Sequence, residues 1–237
     1  MGELFGALVH GITWLLTKLY EGTAAVGVPS YGLAIILLTV LIRVVLYPLN
    51  YKQMHSMAAL QRLQPKLKEI QEKYKKDPQK LQQKMLELYR ENGVNPMAGC
   101  LPLLIQLPIL FALYRALLNL FKTSNVQHLN FLYVINLAER GSFADPVTLI
   151  LPVLAGVTTW WQMRLTPQAS GQEQTQRMMS TIMPVMFAYI SFTLPAGLAL
   201  YWVVFNLLSV GQQYIINKRL YGVGKEALEG EGSGKKR

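Results

Sequence analysis

One charged side chain stands where its chemistry conflicts with its surroundings. Arg43 lies inside the apolar run Tyr31-Gly-Leu-Ala-Ile-Ile-Leu-Leu-Thr-Val-Leu-Ile-Arg-Val-Val-Leu-Tyr47. A guanidinium in hydrocarbon costs from about 3 to over 10 kcal/mol depending on the reference, and arginine cannot escape by losing its proton. Asn50 is the next polar residue beyond the run, about 10 Å of helix away at roughly 1.5 Å per residue. Snorkelling covers only part of that distance. Either the side chain strains toward the interface as an anchor, or water and protein come in to meet it. In the second case it is a binding charge for an anionic group.

Other chemistry is sparse. His10, His55 and His128 all fall outside the apolar runs, and neither Gly-x-Ser-x-Gly nor His-Glu-x-x-His occurs. An intramembrane enzyme would need such a nucleophile, base or metal set. No phosphate-binding Gly-rich Lys-Ser/Thr loop is present, and no cofactor is implied. The lone Cys100 excludes an intrachain disulfide. A secondary transporter or channel for a small anion is the competing function, with Arg43 as its binding charge. Against it, the chain shows no evident internal repeat and no second deep ionisable group for coupling.

The elements that must position Arg43 follow from where apolar and basic residues gather. Of 237 residues 51% are hydrophobic, yet 23 are Lys or Arg against 13 Asp or Glu. The apolar residues form long blocks with the basic ones between them, which is the pattern of a polytopic helical membrane protein. Five spans are expected, at 28–50, 98–121, 147–163, 178–194 and 198–216. The third and fourth are near the minimum length for crossing a hydrocarbon core of about 30 Å. Prolines 102, 108, 152 and 184 should interrupt hydrogen-bond ladders in spans two to four. Residues 1–27 read as an amphipathic helix at the outer interface, with Leu4, Leu8, Ile12, Leu15, Leu16 and Leu19 on one arc; packing on other helices explains the same arc. The start, Met-Gly-Glu-Leu-Phe-Gly, has no basic stretch of a signal sequence.

Ten Lys and Arg lie in 51–97, two in 163–177 and six after 216, whereas the other side has only Lys18, Lys122 and Arg140. That bias places the N-terminus outside and the C-terminus in the cytoplasm. Arg115, seven residues before Lys122, suits outward snorkelling. The 51–97 connection should be a basic cytoplasmic helical hairpin. Leu60, Leu63, Leu67, Ile70 and Tyr74 form its first seam. Asp77-Pro78 reads as N-cap and first helical residue of the second helix, followed by Leu81, Met85 and Leu88, and Asn92-Gly93 ends it. Residues 122–146 form an outer loop, 164–177 a cytoplasmic loop and 217–237 a basic tail. Met54, Met57, Met178, Met179, Met183 and Met186 gather near the cytoplasmic side, where thioethers suit either variable apolar clients or ordinary packing.

Several stretches, in order over about residues 28–216, resemble the YidC/Oxa/Alb membrane insertases. They are Leu41-Ile-Arg-Val-Val-Leu-Tyr-Pro-Leu49, Asn95-Pro-Met-Ala-Gly-Cys-Leu-Pro-Leu-Leu-Ile-Gln-Leu-Pro-Ile-Leu-Phe-Ala-Leu-Tyr114, Leu151-Pro-Val-Leu-Ala-Gly-Val-Thr-Thr-Trp-Trp-Gln-Met163, Ile182-Met-Pro-Val-Met186 and Leu194-Pro-Ala-Gly-Leu-Ala-Leu-Tyr-Trp-Val-Val-Phe-Asn206. Without the large domain of Gram-negative YidC proteins, the chain looks like the short Gram-positive kind. The resemblance implies an all-α membrane fold whose five spans enclose a polar groove open to cytoplasm and lipid. Arg43 matches the groove arginine, Gln106 and Gln162 match polar groove positions, and Trp202 matches an aromatic one. On the residues alone, Gln106 also suits hydrogen bonding to carbonyls freed by Pro108, Gln162 a polar edge, and Trp202 an interfacial anchor. The implied function is insertion and folding of membrane proteins in the bacterial plasma membrane. The implied partners are nascent membrane proteins and lipid, with the Sec translocon, ribosome and signal-recognition machinery approached through the hairpin and the tail residues Lys218, Arg219, Lys235, Lys236 and Arg237.

Overall fold

A computed structural model describes residues 2–95, 101–123, 129–132, 134–165 and 173–233 of the chain, with side chains described except at 101–103, 123, 173–180 and 217–233. Nine α-helices, a short 3-10 helix at Pro146–Leu149 and one two-stranded ribbon occur among the described residues. α1 spans Gly2–Ala25, α2 Tyr31–Val45, α3 Tyr47–Arg62, α4 Gln64–Lys73 and α5 Pro78–Glu91. α6 spans Leu101–Thr123, β1 Asn130–Phe131, β2 Ile135–Asn136, α7 Ile150–Leu165, α8 Glu173–Thr193 and α9 Ala196–Ser233. Cys100, His128 and the terminal residues Lys235, Lys236 and Arg237 lie outside the described residues, as do the side chains of Met178, Met179, Lys218 and Arg219.

Among the described residues, two segments are single helices long and apolar enough to cross a membrane, Leu104–Lys122 and Ala196–Ile216. A third arises if α2 and α3 count as one broken span. The expected uninterrupted run from Tyr31 to Leu49 in fact stops at Val45, and α3 leaves at 63°. The cause is Pro48 in the first turn of α3. Its ring crowds the preceding turn and it offers no N–H, so the ladder ends and restarts around Leu46. Ser30 caps the other end of α2, its hydroxyl accepting from Leu33 N.

The core lies where α1, α2, α6 and α9 meet. Ile12 and Leu16 of α1 are buried there with Ala34, Ile35 and Leu38 of α2, Leu113 and Leu117 of α6, and Leu200 and Tyr201 of α9. Thus the lower part of the α1 arc packs on α2 and α6, while Leu4 and Leu8 stay exposed. α7 packs against α8 and α9. Gly156 makes this close, since a Cβ there would lie 3.0 Å from Ala188 Cβ and 3.3 Å from Pro184 O. Pro108 and Pro184 do sit inside helices, but Pro152 falls in the first turn of α7, where its missing N–H interrupts nothing. Outward faces stay apolar, with Val44, Phe111, Val157, Val185 and Leu207 exposed.

Between α6 and α7, β1 and β2 pair antiparallel. The sequence predicts only a loop here, yet Leu129, Ile135 and Leu137 are core residues. Its far end caps α9, whose Ala196 N donates to Glu139 O at 2.7 Å and Gly197 N to Leu137 O at 2.8 Å. The end of α3, α4 and α5 pack together as a separate cluster through Leu60, Leu63, Leu67, Leu88 and Tyr89, with Met57, Ile70 and Met85 beside them. Asp77 caps α5 through Lys80 N, and Gly93 follows the helix with φ of +63°. Tyr74 and Leu81 are not among these seam residues; Tyr74 instead ends α4 as its C-cap.

Candidate functional site

The last turn of α2 carries Arg43 inward. Its neighbours Val44 and Val45 are exposed, whereas Arg43 itself is only 7% exposed. Three features of α9 receive it. Nη2 donates to the Phe205 carbonyl at 2.9 Å, Nη1 donates to Gln212 Oε1 at 3.1 Å, and the guanidinium carbon lies 3.8 Å from the Phe205 ring centroid. The ring face and the carbonyl dipole both favour a cation. No ion pair found among the described residues includes Arg43. Its charge is therefore held by dipoles and a π-face, not neutralised by a carboxylate.

Arg43 lines a cavity of about 140 Å3 with Leu46, Asn50, Gln53, Met54 and Met57 on the α2–α3 side. Ile105 and Gln106 of α6, Gln162 of α7, and Phe205, Ser209 and Gln213 of α9 complete the wall. Such a wall, apolar with convergent polar groups and a charge, is the general form of a binding site.

Three of the four residues singled out from sequence, Arg43, Gln106 and Gln162, thus border one space. Gln106 is buried and donates from Nε2 to Tyr201 Oη at 2.6 Å. Gln162 meets the buried Asn206. With its amide nitrogen turned to Gln162 Oε1, Asn206 donates at 2.7 Å and accepts from Thr159 Oγ1 at 2.8 Å and Thr158 Oγ1 at 3.1 Å; that orientation is assigned from the hydrogen-bond network. Trp202 is elsewhere. It stacks on Phe187 at 4.4 Å between centroids, 15° from parallel, and donates from Nε1 to Thr159 Oγ1 at 3.0 Å. Phe205, 5.8 Å from Trp202, stands between it and Arg43.

Sequence reasoning missed Asn50, Gln53, Asn206, Ser209, Gln212 and Gln213. The signal on α9 was present: Trp202, Asn206, Ser209 and Gln213 recur at three- and four-residue steps, a polar stripe in an otherwise apolar span. Asn50 and Gln53 carried no such signal, because their approach to Arg43 depends on the bend at Leu46.

The family described as 60Kd inner membrane protein matches residues 23–223. A Helicobacter pylori protein called membrane protein insertase YidC is 43% identical over 210 residues, which are 89% of this chain and 36% of that protein. A Wolinella succinogenes protein of the same name is 46% identical over 191 residues, or 81% of this chain and 34% of the other. A crystal structure of an active YidC insertase with its first transmembrane domain resolved superposes with a TM-score of 0.67 at 34% identity, covering 89% of this chain and 46% of that one. The chain therefore spans about a third of the length of these curated relatives.

Proposed function

The chain belongs to the 60Kd inner membrane protein family, that of the YidC/Oxa/Alb insertases, and from that membership we propose that it inserts client proteins into the bacterial plasma membrane and assists their folding there. The five apolar segments containing α2, α6, α7, α8 and α9 act as spans around the Arg43 cavity, which serves as a groove open to cytoplasm and lipid. α3 to α5 form the cytoplasmic hairpin, with the N-terminus outside and the C-terminal tail inside. A client's hydrophilic end enters from the cytoplasm and pairs briefly with Arg43. Its apolar segment slides past the lipid-facing sides of α7 and α9 into the bilayer. Hairpin and tail are the surfaces offered to the Sec translocon, ribosome and signal-recognition machinery.

The observation that carries this reading is a buried arginine, with no carboxylate partner among the described residues, on the wall of a cavity that is apolar with convergent polar groups. At 4 Å and an effective dielectric of about 20, a client carboxylate gains about 4 kcal/mol of attraction before desolvation is subtracted. That suffices to hold a tail transiently without trapping it. Burial of client hydrocarbon and, for acidic tails, the membrane potential supply the drive.

The test is protease protection of a single-span client with a short acidic outer tail, in proteoliposomes matched for protein. Wild type should exceed empty liposomes, and Arg43→Ala should fall about tenfold or more toward that baseline. Equal insertion by both proteins would remove the charge from the mechanism. No insertion by wild type of a client known to be competent would remove autonomous insertion itself.

A further inference from the structure

Two buried polar atoms lack a hydrogen-bond partner among the described residues, and both are nitrogen donors: Arg43 Nε and Gln53 Nε2. They belong to different helices but line the same cavity. Gln53 is 6% exposed, so its amide is not simply turned to bulk solvent. Leaving such a donor buried and unpaired is costly, and native proteins rarely tolerate it without a reason. A straight helix would separate residues 43 and 53 by about 15 Å along its axis. The 63° break between α2 and α3 instead sets both beside one space.

The demand of this space is specific. Its unmet groups are two N–H donors, one of them on a cation, and no buried acceptor among the described side chains goes unpaired. Arg43 Nη1 and Nη2 are already engaged with Gln212 and Phe205 on α9. Nε is the guanidinium nitrogen that no group among the described residues meets, and Gln53 Nε2 supplies a second such donor. Water can occupy the space at rest, since a cavity of about 140 Å3 has room for more than one molecule. Water brings no charge to match the guanidinium, whereas a carboxylate brings both acceptors and the charge.

We propose that Gln53 is a client-contacting residue which, with the Nε edge of Arg43, forms a two-donor site for the carboxylate of an aspartate or glutamate in the client's translocated tail. This deepens the insertase reading and rests on it. Arg43 supplies attraction for any acidic tail, and Gln53 supplies the directional contact that favours a carboxylate over its neutral amide isostere.

The experiment uses proteoliposomes of the full chain and three single-span clients that differ only by Asp, Asn or Lys at one tail position. Insertion is read by protease protection for wild type, Gln53→Leu, Gln53→Glu and Arg43→Ala. Gln53→Leu should reduce the Asp-to-Asn insertion ratio about three- to tenfold, Asp-tail insertion falling more than Asn-tail insertion. Gln53→Glu, which places an anion in the site, should reduce Asp-tail insertion further and spare or favour the Lys tail. An unchanged Asp-to-Asn ratio in Gln53→Leu overturns the proposal while leaving the insertase reading intact. Equal loss for all three tails overturns it too, because it assigns Gln53 a structural role. Wild type no better than empty liposomes for every tail removes the insertase reading, and this site with it.

Discussion

The Arg43 guanidinium places its two Nη atoms on two different acceptors of α9 while its plane covers the Phe205 ring. A lysine has the charge but neither the flat fork nor the delocalised face. Arg43→Lys keeps attraction for an acidic tail and loses the fixed placement, so its insertion of acidic-tail clients should fall between wild type and Arg43→Ala, within about tenfold of wild type. Protease protection in matched proteoliposomes checks this. Insertion equal to Arg43→Ala would mean that geometry, not charge, decides. Arg43 was legible in the sequence because its cost in an apolar run is a property of the run itself. Its partners were not, since Phe205 and Gln212 lie 162 and 169 residues away and only the packing of α2 on α9 brings them near. Trp202 was legible as an aromatic near the site, but the face it presents was not; it supports Phe205 from behind and lines no part of the cavity.

Helix ends follow local chemistry closely, and that made α4 and α5 readable. Asp77 caps α5 and Gly93 follows it at positive φ because short-range hydrogen bonding and steric freedom set both. The Leu60, Leu63, Leu67 seam then buries Tyr89. Burial raises the Tyr89 pKa above the usual value of about 10. The phenolate is the disfavoured form in the folded pair, so this stabilisation is complete below pH 10 and is lost as pH rises through the folded value. Helicity of α4–α5 should therefore weaken selectively above pH 10, and Tyr89→Phe should delay that loss, as read by hydrogen exchange localised to residues 64–91. Exchange in that segment unchanged by the substitution would count against Tyr89 as the sensitive group. The break at Leu46 was less legible. Pro48 ends the ladder in the first turn of α3, whereas the continuity of apolar residues through Leu49 argues for one unbroken span.

At the scale of the molecule, two ends of α2 do different work. Its last turn carries Arg43 to the cavity, whereas its first turn supports the ribbon. Gly32 lies under Phe131, so closely that an added Cβ would overlap the ring, and Leu137 and Glu139 cap α9 from the same ribbon. From Gly32 to Arg43 is about 16 Å of helix, far enough for mutations at the two ends to act independently. Gly32→Ala gains less than about 1 kcal/mol of helix propensity, since the residue sits in the first turn, but overlap with the half-buried Phe131 ring costs about 1–3 kcal/mol. The overlap should win, because Phe131 Cγ, close to the backbone, is itself 2.8 Å from the added atom and cannot swing clear as a flexible chain end would. Thermal unfolding in lipid should then show Gly32→Ala lowering Tm, while Asp-tail insertion per folded molecule stays unchanged. In a Phe131→Leu background the same substitution should become neutral or stabilising, since the ring is gone and the propensity gain is kept. A Tm loss of equal size in both backgrounds would place the strain elsewhere than in the Gly32–Phe131 contact.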